Sequence, residues 1–202
     1  MAPRIPKGQS APLNVTQEGR QRVFVGLGWD PNESTSIKDK TLSKLGLKNI
    51  HHDLDLSCYL YDQNKRYINH VSVEKGHEVD QTGQIYHSGD NVKGVGEGDD
   101  EQISVELKNL DPAITSIIFK ASIKSGHTFD EVAAPEIRLV DAYSGRIFLE
   151  LSLQDGNESN RPVFVFAALL KATDGGWNIL HIGKFIDVPT DVHWAETLKS
   201  YI

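Results

Sequence analysis

The chain has 202 residues, 39% of them hydrophobic and 24% charged, with a formal net charge of −7 at pH 7. That length suits one domain over 1–202 with a substantial core, and the acidic balance argues against a nucleic-acid partner, whose affinity would come from a basic face. No apolar run reaches the roughly eighteen residues that suggest a membrane helix, and residues 1–12 carry prolines but no secretory apolar stretch. Cys58 is the lone cysteine, which excludes an internal disulfide and makes a reducing cytoplasm the expected compartment.

In chain order, the proline-punctuated start predicts an edge strand near Leu13–Val15. Arg22–Gly28 reads as a strand with Val23, Val25 and Leu27 on one face, ended by Trp29, Asp30 and Pro31. Residues 32–52 form a lysine-bearing polar excursion whose apolar spacing is poor for a helix and which reads as a solvated loop. Asp53–Asp62 is the clearest strand: Leu54, Leu56, Cys58 and Leu60 alternate with Asp53, Asp55, Ser57, Tyr59 and Tyr61. Arg66–Val73 returns as its hairpin partner, and Glu74–Ser88 reads as irregular.

Ile103–Leu107 and Ile114–Lys124 resume the period of two. In the latter, Ile117, Phe119, Ala121 and Ile123 point inward and Lys120, Ser122 and Lys124 outward. Thr128 caps a short helical turn. Glu136–Asp141 and Arg146–Leu153 form a hairpin, and Pro162–Ala172 turns through Asp174, Gly175 and Gly176 into Trp177–Ile186. Val192–Ile202 can form a short amphipathic helix through Trp194, Leu198 and Ile202. Many short strands and almost no helix predict an all-β, two-sheet antiparallel sandwich.

The densest chemistry lies in residues 89–101. Gly89, Gly94, Gly96 and Gly98 permit tight turns, while Asp90, Glu97, Asp99, Asp100 and Glu101 face one ammonium, Lys93. Asp53 and Asp55, two apart on one strand, point the same way at a repeat of roughly 7 Å. Carboxylates crowded in this way repel unless a cation sits among them. Hard, oxygen-seeking Ca²⁺ suits them better than Zn²⁺, which prefers thiols and imidazoles. A solvated acidic loop is the alternative for the glycine-rich run taken alone.

The ordered set of motifs resembles the TerD family of tellurite-resistance and general-stress proteins. It comprises Lys7-Gly8-Gln9, Val25–Asp30, Asp53–Ser57, and Gly89-Asp90-Asn91 through Gly98-Asp99-Asp100-Glu101. Arg138–Asp141 with Gly145, and Gly176-Trp177 with Gly183, complete it. The resemblance implies a sandwich that binds two Ca²⁺ ions through Asp30, Asp53, Asp55, Asp90, Asn91, Glu97, Asp99, Asp100 and Glu101. It also implies a non-catalytic stress-response role beside other proteins of a resistance system, membrane-bound partners among them. Val95 stands where the family loop shows another acidic residue and Glu97 where Asp is common, which implies that one of the two sites is weakened or lost.

Rival chemistries have thinner support. His51 and Asp53 have the His-x-Asp spacing of an iron-dependent oxygenase, with His181 as a distal third ligand. No arginine follows His181 to anchor an acidic co-substrate. Gly94–Gly98 is too acidic for a phosphate loop, and Cys58, alternating with leucines, reads as a buried apolar residue.

Overall fold

The computed structural model describes residues 5–15, 19–31, 52–91, 98–124, 126–154, 158–190 and 193–202. Their strands are β1 (Ser10–Pro12), β2 (Arg22–Asp30), β3 (Leu54–Tyr61), β4 (Tyr67–Val71), β5 (Ile85–His87) and β6 (Glu101–Glu106). They continue with β7 (Ser116–Ile123), β8 (Ala133–Asp141), β9 (Ile147–Ser152), β10 (Val163–Lys171) and β11 (Trp177–Ile186). One sheet has the order β1-β11-β10-β7-β3-β4 and the other β5-β6-β2-β8-β9, with every pairing antiparallel. The predicted sandwich is therefore the observed one.

Alternation decides which side chains fill the space between the sheets. Leu54, Leu56, Cys58 and Leu60 of β3 meet Val23, Val25 and Leu27 of β2 in one cluster, joined by Ile117, Phe119, Phe166 and Leu169. The outer face of the six-stranded sheet is covered as well. The helix α1 (Trp194–Leu198) and the 3₁₀ turn Lys199–Tyr201 place Leu198 against Tyr59, Tyr61, Ile118, Val165 and Ala168. The Tyr61 hydroxyl donates to Ala195 O at 2.8 Å. Both faces of β3 are consequently buried along its whole length, and β10 is apolar on both sides for the same reason.

Several elements differ from the sequence reading. The edge strand falls at Ser10–Pro12, ahead of Leu13–Val15, where Pro12 can sit because an edge strand need not donate at every position. Strand β2 runs on to Asp30, and an irregularity between Gly28 and Asp30 absorbs the register shift. Residues 74–88, read as irregular, contain β5, whose three residues bury only Ile85 and His87. Such a short strand carries too little alternation to detect. Lys120, expected outside, is buried because Trp194 lies over it at 4.5 Å from ring centroid to Nζ. Of the excursion 32–52, residues 32–51 lie outside the described residues, and His52 is buried.

What positions the acidic residues is an incomplete ladder. Strand β4 pairs with β3 only from Cys58 to Tyr61, whereas β7 pairs along all of β3. Residues 54–57 therefore keep one edge open, and the start of β6 closes upon it. Leu56 N–H, which lacks a strand partner on that side, donates instead to Glu101 Oε2 at 2.8 Å.

Candidate metal centre

Asp55, Asp90 and Glu101 each bring a carboxylate oxygen within 4.8 Å of the other two. Oxygens ligating one Ca²⁺ at about 2.3–2.6 Å can lie no more than about 5 Å apart, so the spacing accommodates such an ion. Asp55 Oδ1 accepts a hydrogen bond from Lys124 Nζ at 2.8 Å, while its buried Oδ2 has no hydrogen-bond partner. A buried, unpaired carboxylate oxygen is costly, and its residue belongs to a cluster of further carboxylates. Hence the donor set fits a hard cation.

Glu101 is fully buried, with Oε2 on Leu56 N–H and Oε1 receiving Asn91 N–H at 3.4 Å. A carboxylate has about four lone-pair positions, so these bonds leave Glu101 able to ligate. Behind it, His87 Nε2 lies 3.3 Å from Glu101 Oε2 but off the line a hydrogen bond requires. Gly89 N–H donates to His87 Nδ1 at 3.1 Å, so in the neutral ring the proton sits on Nε2, toward Glu101.

Burial is the main cause of the raised pKa at Asp53, Asp55 and Glu101. The charges of Asp55 and Asp90 push Asp53 further up. At Asp55 the neighbouring Lys124 opposes the shift without reversing it. Lys124, half exposed, pairs with Asp55 and also opposes the shift at Asp53, while Lys120 acts on Asp55 from farther off.

The remaining acidic residues divide differently. Asp99 is clamped by Arg138, with Nε to Oδ1 at 2.8 Å and Nη2 to Oδ2 at 3.1 Å, and Gln102 Nε2 also donates to Oδ2. Its carboxylate lies over Gly26, the register partner of Arg138 across β2 and β8. Asp100 Oδ2 accepts from Trp29 N–H at 2.9 Å and Oδ1 from Asn91 Nδ2 at 2.7 Å. Asn91 therefore bridges Asp100 to Glu101 and ties the two acidic groups together. Asp30 is exposed at the end of β2, beside Gly98 and Asp99 in a shallow cleft. Glu97 and Val95 lie outside the described residues, as does His51. Among the described residues, Asp55, Asp90 and Glu101 are the group whose ligand atoms converge.

Sequence reading missed Lys124, Arg138 and His87 as partners of these acids. Each pairing depends on strand register or loop path, which residue spacing does not encode. The glycines of β2 were the available signal. A Cβ at Gly26 would fall 2.1 Å from Asp99 Oδ2, and one at Gly28 would fall 3.3 Å from Gly98 O, so both mark where the acidic segment crosses the sheet. The iron-site alternative loses its distal ligand. His181 lies on β11, three strands from β3 and so about 14 Å away, with its Nδ1 bonded to Ile5 O.

The TerD domain model matches residues 1–188. Tellurium resistance protein TerX of Serratia marcescens is 31% identical over 202 residues, covering 91% of this chain and 93% of that protein. Stress response protein SCP2 of Bacillus subtilis (strain 168) is 29% identical over 206 residues and covers the whole of both chains. The crystal structure of a homologue of telluride resistance protein TerD from Streptomyces coelicolor A3(2) superposes with a TM-score of 0.69. It is 24% identical and covers 90% of this chain and 98% of that one, a likeness that establishes the fold. None of these names states an enzymatic activity. With the family model matching almost end to end and relatives aligned over nearly their full lengths, the chain belongs to the TerD family.

Proposed function

We propose that this TerD-family protein is a calcium-binding module of the tellurite and general stress response, acting by binding or scaffolding rather than by catalysis. The observation that carries this reading is the convergence of Asp55, Asp90 and Glu101, with one buried oxygen of Asp55 left without a hydrogen-bond partner. A bound Ca²⁺ would join β3 of the six-stranded sheet to the start of β6 and the β5–β6 connection of the five-stranded sheet. A second, weaker site would use Asp30 and Asp100 with further oxygen donors. The proposed partners are other proteins of the same resistance system, membrane-bound ones among them. No helix among the described residues is long and apolar enough to cross a membrane.

Thermal melting of chelator-treated protein tests this. Millimolar calcium should raise the melting temperature and magnesium should do less, because Mg²⁺ holds its waters and demands a tighter octahedron. Equal melting temperatures in chelator and in calcium would refute the reading.

The pH dependence has a defined sign. Asp53, Asp55 and Glu101 have folded pKa values above their unfolded ones. In metal-free protein, the stability these groups contribute is fully present below the unfolded values near pH 4 and is lost as pH rises through the folded values. Calcium requires the charged forms, so protons compete with it. The calcium-dependent rise in melting temperature should therefore be largest near pH 7–8 and shrink toward pH 5. A rise that stays constant across that range would contradict proton competition.

A further inference from the structure

The outer face of the six-stranded sheet holds a polar cavity that adjoins the acidic centre and has Asp55 in its lining. It measures about 190 Å³, and its lining includes Ser57, Tyr59, Glu74, Lys120, Ser122 and Trp194. Lys120 is 5% exposed and hydrogen-bonds to Ser122 Oγ at 3.0 Å under the Trp194 ring. Among the described residues, no carboxylate lies within ion-pair distance of its ammonium. Ser57, the register partner of Lys120, is also 5% exposed, and its Oγ has no hydrogen-bond partner. Ser122 accepts from Lys120, which leaves its hydroxyl proton free to donate. Thus a buried ammonium outside ion-pair distance of any described carboxylate, and an unpartnered hydroxyl, line one cavity whose lining also includes Asp55 and Glu74.

We propose that this cavity binds a short-chain monocarboxylate, with its carboxylate on Lys120, Ser57 and Ser122 and its alkyl end against Val73, Val163 and Val188. The volume corresponds to about six waters at their liquid packing, enough for a molecule of about six heavy atoms. A single charge is favoured. Asp55 and Lys124 in the lining already neutralise each other, and Glu74 in the same lining disfavours a dianion. The unpaired burial of Lys120 lowers its pKa to about 8, with Lys124 adding to the shift and Asp55 and Glu74 opposing it. A bound carboxylate would relieve that burial.

The test follows the indole N–H resonance of Trp194 by NMR while butyrate, neutral butyramide or inorganic phosphate is added. Butyrate should give a saturable shift that butyramide does not reproduce, and phosphate should bind at least tenfold more weakly. Lys120→Met should abolish saturation while keeping the native spectrum and an equal or higher melting temperature, since it replaces an unpaired buried charge by an apolar chain. Ser57→Ala should weaken butyrate binding severalfold and leave the fold intact. The proposal fails if butyrate gives no saturable shift, if butyramide matches it, or if phosphate binds as well. It also fails if the Lys120→Met protein, or Lys120→Gln where the first does not fold, responds as the parent does.

Discussion

Gly26→Ala is expected to cost about 3 kcal/mol of folding stability, the order of magnitude of overpacking joined to disruption of a mostly buried ion pair. The new Cβ would lie 2.1 Å from Asp99 Oδ2 and 2.2 Å from its Cγ, so the carboxylate must leave. It cannot swing aside cheaply, because Arg138 holds both oxygens and Gln102 holds one of them. Asp99→Ala alone should cost less, since the Arg138 side chain it strands is about one-third exposed and can reach water. The double substitution Gly26→Ala/Asp99→Ala should then be more stable than the sum of the single effects implies, because the clash is gone. Urea unfolding of the four proteins measures the coupling. A Gly26→Ala protein within about 0.5 kcal/mol of the parent would show that the acidic segment does not press on β2.

The second large effect is calcium-linked. At a free calcium concentration about a hundred times the dissociation constant, one site adds roughly 2.7 kcal/mol to native stability. For a chain of this length that is about 5–10 °C in melting temperature. Asp55→Asn should separate the two states. Without metal it should melt at or slightly above the parent temperature, because one of several repelling, buried carboxylates is neutralised. The lost partner, Lys124, is half exposed and forfeits little. With calcium, Asp55→Asn should lose most of the increment. A variant destabilised equally with and without calcium would instead make Asp55 a structural residue.

The sandwich was legible because period-two alternation survives wherever one face is core. Leu54, Leu56, Cys58 and Leu60 announce β3, and Asp174, Gly175 and Gly176 announce the β10–β11 turn. The acids were legible as an ordered set, though their division of labour was not. Asp55 and Asp99 look alike in sequence, yet one leaves an oxygen unpaired and the other is clamped at both. What separates them is Arg138, which meets Asp99 only because β2 and β8 pair with Gly26 opposite Arg138. Lys120 shows the same limit. Its alternation is that of a solvent-facing lysine, and only the return of the distant Trp194 over the sheet buries it.

Calcium calorimetry on chelator-treated protein, run in parallel on the parent and on Asp55→Asn, tests the metal centre most directly. Saturable uptake of at least one Ca²⁺ by the parent, lost or weakened at least tenfold in Asp55→Asn, is the predicted result. A flat isotherm for the parent, or an isotherm that Asp55→Asn leaves unchanged, would contradict it.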